Sequence, residues 1–503
     1  MKKYILTIIS LALLFSACDL DIKPESDLTY NGFWETEEAV KAAHVGICAS
    51  YRNYAYTFWL MGEVRSDIWG GLTVETPSNI ELINNNISKT QVYFGNWANF
   101  FGLLHYINDF IKNAPNVSFQ NEANKNHMLA QVYGIRAHIY YTMLKAWGDV
   151  PVSTEPLTNI DLEKLKKPRS PKIEVMKQVK ADIAKSLELF GDDNSMWLNK
   201  RIYWSKAATL ALKGDAYLWS GKVLDGGDTD FKEAKQALAS ITGYELVNYN
   251  SLWGEQNENN KEFIFAFDYQ QDQAGNFYGN FTGRNVDFNP FFTDKGISAK
   301  DKSVLGDGSS VVVNGASRYG PTNKILLLLD DENDNRRNTF IRLYSDNEGH
   351  TPFDPNDQAY KTSVLKKFLG PIYSDGGRKY FNNVPLYRYA DVILMLAEAK
   401  NNLNEDPTEE INAIRQRAYG DKFSDYKYVN GSQADNRKAI LNERLKEFIG
   451  EGKRWWDLVR AGEGIIFEEV TSLNKTEAYK IYYSISESML ANDDQLTQTK
   501  GYK

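Results

Sequence analysis

The feature that most constrains this chain is a run of apolar residues at helical spacing from Asn121 to Ala146: Leu129, Val132, Ile135, Ile139, Tyr140, Met143 and Leu144. Positions three and four apart share one face of a helix, so the run predicts a long helix with a buried stripe. It stops at WGDVP, Trp147 to Pro151, a Gly-Asp turn closed by proline. Similar patterns surround it. Residues 35–60 carry Ala39, Ala42, Ala43, Val45 and Tyr51, and Trp97 to Lys112 carries Phe101, Leu104, Ile107 and Ile111. Pro168 to Phe190 carries Ile173, Val175, Met176, Val179, Ile183 and Leu187, after a Ser170-Pro171 start that suits an N-cap and a first-turn proline. Lys206 to Trp219 is alanine-rich, which suits close helix contact, and Phe231 to Ser240 is shorter.

These helices recur every thirty to forty residues, a spacing similar to that of tetratricopeptide-type helix pairs, although no clean repeat motif accompanies it. The composition changes after about Tyr244. Residues 253–320 are rich in Asn, Gly, Phe, Tyr and Asp, and FIFAF at 263–267 is the one convincing strand. Helical order returns at Ile325–Leu329, Tyr387–Asn402 and Asp406–Ala418. Residues 78–90 are polar and loop-like. Asp67-Ile68-Trp69-Gly70-Gly71 reads as a turn that exposes its tryptophan. The tail from Ile481 to Tyr502 reads as extended and polar.

The densest stretch is NERLKEFIGEGKRWWDLVRAG, Asn442 to Gly462. Leu441, Leu445, Phe448 and Ile449 form one apolar stripe, and Trp455, Leu458 and Val459 begin another. Gly450 and Gly452 break the helix between them. The two tryptophans read as core. Glu443, Arg444 and Arg454 read as ion-pair partners that lock a helix–turn–helix.

At the other end, Lys2 and Lys3 precede an apolar run from Tyr4 to Phe15, too short for a permanent membrane span and suited to a signal sequence. Ser16-Ala17-Cys18 follows. This resembles a bacterial lipoprotein processing site, with Phe15 where that pattern usually has Leu. It predicts residues 1–17 as signal peptide, Cys18 as the lipidated residue, and an acidic tether behind it. With Cys18 so used, Cys48 has no partner for a disulfide. The net charge of −8 argues against a nucleic-acid partner. The five histidines form no metal-binding pattern, and the oxygen-rich DDENDNRR, Asp330 to Arg337, lacks the ligand spacing and turn glycine of a calcium loop. No cofactor or metal is expected.

No catalytic constellation is present: no GxSxG, no phosphate-binding loop, no dinucleotide fingerprint. Acidic pairs such as Glu37-Glu38 and Asp330-Asp331 read as helix ends and solvated loops, not as acid/base couples.

Taken in order, the motifs resemble the SusD/RagB family of outer-membrane nutrient-binding lipoproteins. The resemblance rests on the Cys18 signal, YYTMLKAWGDVP at 140–151, SKAATLALKGDAYLWSGK at 205–222, NKEFIFAF at 260–267, NDNRR at 333–337 and VPLYRYADVILMLAEAKN at 384–401. ERLKEFIGEGKRWWDLVRAG and the tail DDQLTQTKGY complete it. Thr499-Lys500 stands where the family usually has Asn-Pro.

The resemblance implies a mainly α fold: a scaffold of four tetratricopeptide-like helix pairs with an irregular, loop-rich lobe and few short strands. It divides the chain into a helical region at 18–245 and a C-terminal region at 246–503 that holds the lobe at about 253–320. It implies a lipid-anchored protein on the outer face of the outer membrane. That protein binds oligosaccharide, or in some members peptide, and hands it to a TonB-dependent SusC/RagA-like transporter; it is not an enzyme. A helical-repeat scaffold and an all-α carbohydrate-active enzyme are the alternatives. A sugar site wants an aromatic platform ringed by amides, carboxylates or guanidinium. By region, the resemblance points to Asp67 and Trp69, then Tyr269, Asn276, Tyr278, Arg284 and Phe292. The aromatic surplus, 13 % of residues, is compatible with such a platform.

Overall fold

The computed structural model describes residues 30–73, 76–157, 166–281, 317–344, 350–371, 373–374, 379–462 and 464–502. Six principal helices build the first half: α1 Glu37–Arg52, α2 Ala98–Asn113, α3 Glu122–Trp147, α4 Lys172–Phe190, α5 Lys206–Val223 and α6 Gly227–Ala239. Four more follow the irregular lobe: α7 Tyr389–Asn402, α8 Thr408–Tyr419, α9 Gln433–Phe448 and α10 Arg454–Arg460. Neighbours pack as pairs, α3 on α4, α5 on α6, and α7 on α8 and α9, while α6 meets α7 to join the two halves. The fold is mainly helical, as the sequence predicts.

The helix starts follow their chemistry. Asn121 accepts from the Ala123 N–H at the head of α3 and Ser205 from the Ala208 N–H at the head of α5. Ser432 and Asp435 form a reciprocal capping box on α9. The N-cap of α4 is Pro171, one residue later than the Ser170 cap that the sequence suggests, and no side chain caps it.

Helix α3 departs from the single-stripe expectation. From His127 to Gly148 only Tyr133 escapes full burial. Small residues let neighbours close around it: a Cβ on Gly134 would lie 2.2 Å from the Trp204 indole nitrogen. Several of the polar groups drawn inside are paired. Arg136 makes a forked pair with Asp182 at 2.9 and 2.6 Å, and the His138 ring bonds the Tyr51 hydroxyl at 2.7 Å.

Among the described residues four short strands form two antiparallel ribbons, β1 Phe263–Phe267 with β4 Val384–Arg388, and β2 Phe340–Tyr344 with β3 Tyr360–Leu365. Only the first was legible from sequence; Pro385 at the edge of β4 disguises a strand that ends directly in α7. The extended polar tail is also corrected. Glu487–Asn492 is helical, and Tyr483 and Ile485 are fully buried. The Tyr483 N–H donates to the Ala146 carbonyl at 2.9 Å, so the tail closes over the end of α3.

The Asn442–Gly462 stretch sits in the core, with Trp455 and Trp456 both buried. The Arg444 guanidinium joins Asp457 across the turn at 2.9 Å and Asp391 of α7 at 2.8 Å. The other two expected lock residues reach outside the stretch. Glu443 binds Arg336 and Arg415, each at 2.8 Å, and Arg454 binds Asp67. A further buried knot joins Arg388 to Glu262, Glu447 and Glu451 at 2.6, 2.6 and 2.9 Å. Pairing this complete offsets the cost of burying so many charges.

Candidate functional site

The two regions singled out by sequence do come together. The short helix Ala55–Trp59 runs on as a π-turn, Leu60–Val64, and delivers the chain to Asp67 and Trp69. Trp69 pairs as an antiparallel bridge with Pro321, and the Gly70 and Gly71 N–H groups both donate to the Gly320 carbonyl at 3.0 Å. The middle segment arrives from the other side as the turn Phe277–Phe281. The described chain pauses after Phe281 and resumes at Ser317, and the ends adjoin: the Arg318 N–H donates to the Asn280 carbonyl at 3.1 Å, and Phe281 stacks on Tyr319 at 4.9 Å.

Within this junction several expected contact residues are not at the surface. Trp69 is only 2 % exposed. Its ring meets Trp59, Phe281 and Phe340 at 5.9, 5.1 and 6.0 Å, and its indole N–H donates to Glu63 at 3.1 Å. An indole so covered offers no face to a sugar, which corrects the expectation of an exposed platform. Asp67 is buried as well, forked by Arg454 and bonded by Lys324 at 2.6 Å. Burial pushes the Asp67 carboxyl up, but Arg454 and Lys324 outweigh it and hold it below the usual carboxylate range. Tyr278 is buried, stacks on Phe368 at 4.0 Å and donates its hydroxyl to the Gly450 carbonyl. These three shape the floor and do not line a surface.

Tyr269 is buried too, under the Arg52 guanidinium 6.0 Å from its ring centre. Asn276 is half-buried and spends its side-chain amide inside the chain: it donates to the Asn382 carbonyl at 2.9 Å and accepts from the Tyr278 N–H at 2.9 Å. Arg284 and Phe292 lie outside the described residues, as does Cys18.

The rings that remain partly open are Tyr56 and Phe277, 5.1 Å apart and tilted by 36°. Tyr56 lies parallel to buried Trp59 at 6.0 Å. Its hydroxyl bonds the Tyr319 hydroxyl at 2.8 Å, and the Asn79 amide donates to that same oxygen at 2.6 Å. Asn79 sits at φ 54°, the left-handed region that asparagine tolerates, and so turns its amide onto Tyr319. Sequence reading passed over Tyr56 and Asn79. The cue was the density of aromatics in YRNYAYTFW, where Tyr51 and Trp59 share the buried side and Tyr56 is left half-open. The exposed chemistry here is aromatic and amide. Among the described residues no cluster of His, Cys, Asp or Glu could hold a metal.

Comparison with known proteins places this architecture. A family model described as the SusD family matches residues 247–502, and one described as starch-binding associating with outer membrane matches residues 20–218. The chain is 24 % identical over 531 residues to SusD-like protein P38 of Formosa agariphila, spanning 99 % of this chain and 98 % of that one. It is 23 % identical over 342 residues to the starch-binding protein SusD of Bacteroides thetaiotaomicron, spanning 59 % and 60 %. Among solved structures, B. fragilis NanU superposes with a TM-score of 0.82 at 30 % identity, covering 96 % of this chain and all of that one. With matching family models over both halves and full-length likeness in sequence and fold, the chain belongs to the SusD family.

Proposed function

We propose that this protein is a lipid-anchored receptor on the outer face of the outer membrane. It binds an oligosaccharide and passes it to a TonB-dependent SusC/RagA-like transporter. Cys18 carries the lipid, residues 1–17 are removed, and the chain performs no catalysis. Membership of a family described as starch-binding at the outer membrane supports the reading. The observation that carries it is the half-open pair Tyr56–Phe277 beside the Asn79–Tyr319–Tyr56 hydrogen-bond relay. A sugar ring has an apolar C–H face and a rim of hydroxyls, so it fits an aromatic wall edged by amide and hydroxyl groups. Tyr269 and Asn276 flank this wall in the proposal. Arg284 and Phe292, the remaining candidates from the sequence, lie outside the described residues.

Calorimetry against a panel of soluble glycans and short peptides tests the reading. At least one glycan binds, and Tyr56→Ala weakens it about tenfold while the melting temperature stays within a few degrees. Binding of peptides alone, or glycan binding indifferent to Tyr56 and Phe277, overturns the site. Release of shortened glycan during titration would return the chain to the enzymes.

A further inference from the structure

The aromatic floor beneath Tyr56 and Phe277 does not stop at Tyr278. Tyr278 stacks on Phe368 with 17° between the planes, and Phe368 meets Trp253 edge-on at 4.6 Å. Phe368 holds φ at 66°, a left-handed backbone that aromatic residues rarely adopt. That geometry puts its ring between Tyr278 and Trp253.

Beyond Trp253 lies an open cleft of about 350 Å³, between the turns at 249–257 and the segment 366–371. That size falls within the range of small-ligand sites. Trp253 forms one wall and is half-buried; its indole N–H is fully covered yet has no acceptor among the described residues. Buried indole N–H groups usually find a partner. The rim carries Asn250, Gln256 and Asn338, all exposed. Among the described residues none of these three side-chain amides is hydrogen-bonded within the chain. The lining holds two lysines: buried Lys367 binds Glu451 at 2.5 Å and the Glu447 carbonyl at 2.8 Å, and half-buried Lys366 is not free either.

This lining selects among ligands. A carboxylate or phosphate finds its buried lysine already paired. An alkyl chain would leave three amides facing apolar surface, at a cost in lost hydrogen bonds to water. A neutral polyhydroxy ring satisfies both: its C–H face covers the indole, and its hydroxyls both donate to and accept from side-chain amides.

We propose that this cleft is a second carbohydrate subsite that takes one neutral pyranose unit of a glycan chain, separate from the Tyr56–Phe277 wall. It rests on the carbohydrate-binding reading above but uses different residues. Two subsites on one chain hold a long glycan more tightly than either alone when the glycan can span them.

The test is ¹⁹F NMR on protein labelled with 5-fluorotryptophan, with Trp253 assigned by Trp253→Phe. The probes are the methyl glycosides of glucose, galactose, mannose and N-acetylglucosamine at tens of millimolar, with trialanine as the peptide control. At least one glycoside shifts the Trp253 resonance saturably, trialanine does not, and the Asn250→Ala/Asn338→Ala double variant weakens the titration about tenfold. The shift persists in Tyr56→Ala. Silence of the Trp253 resonance toward every glycoside, a response to trialanine in their place, or a titration unchanged by the double variant overturns the subsite. If Trp253→Phe does not fold, a crystal soaked in the same glycosides asks the question without substitution: a pyranose ordered against Trp253 supports the subsite and an empty cleft overturns it. The two sites fail separately. Tyr56-dependent glycan binding with a silent Trp253 leaves the proposed function standing and removes this subsite. A responsive Trp253 with Tyr56-indifferent binding does the reverse.

Discussion

Arg454 and Asp67 stand 387 positions apart in sequence and meet through two hydrogen bonds of 2.9 Å, both side chains buried. This fork ties the C-terminal stretch that marks the family to the loop beneath the candidate site. Removing Arg454 leaves buried Asp67 with Lys324 as its one remaining cation, so Arg454→Ala should cost about 3 kcal/mol. Asp67→Asn should cost less, because it keeps one acceptor for the guanidinium. Urea unfolding of the three proteins checks both; equal losses would mean that the pair contributes packing and not charge.

Glu63 makes a second tie between the same segments. Its carboxylate accepts from the N–H groups of Gly450 and Gly452 at 2.8 and 2.7 Å and from the Trp69 indole. Burial, with no cation in contact, pushes its pKa up to about 7, and the three N–H donors only partly offset this. Between its ordinary 4.5 and about 7 the folded chain holds a proton on Glu63 that the unfolded chain has released. This group's contribution is therefore full below pH 4.5, declines as pH rises, and levels off above 7. The span is worth about 3 kcal/mol. Subtracting the pH–stability profile of Glu63→Gln from that of the native protein should show this fall. A flat difference would show that folding leaves the Glu63 pKa unshifted.

Trp69 and Tyr56 should separate stability from binding. Trp69→Ala opens a cavity among Trp59, Phe281 and Phe340 and should cost about 4 kcal/mol. Tyr56→Ala loses a half-exposed ring and one hydroxyl pair, so it should cost about 1 kcal/mol while weakening glycan binding. Thermal denaturation beside calorimetry distinguishes them, and a Trp69→Ala protein of unchanged stability would contradict the packing seen here.

Two glycines give opposite expectations. A Cβ on Gly62 would come 1.8 Å from the Gly452 carbonyl oxygen, a backbone atom that cannot step aside. Gly62→Ala should therefore cost about 3 kcal/mol or more. A Cβ on Gly46, inside α1, meets nothing within 4 Å. Gly46→Ala should stabilise by roughly 0.8 kcal/mol through helix propensity alone. Chemical denaturation of the pair reads both signs.

Cys18 provides a test in the cell. If it carries the lipid, Cys18→Ala should move the protein from the membrane fraction to the soluble fraction. Retention in the membrane fraction would assign the attachment elsewhere.

The sequence by itself determined the helices and the family. Helical spacing is a local property: Leu129, Val132 and Ile135 share a face wherever the helix lies. Motifs in fixed order identify a lineage without reference to space. It also marked two segments that the fold brings together, Trp69 and the 269–281 segment. Which aromatics face solvent was decided only by tertiary structure. Trp69 sits between aspartate and two glycines, with no helical partner to predict its burial. It is buried because Pro321, Tyr319 and Phe340, some 250 positions or more downstream, fold across it. A loop residue has no periodicity to report its environment, so the exposure of Tyr56 and the burial of Trp69 were set by contacts that no local window contains.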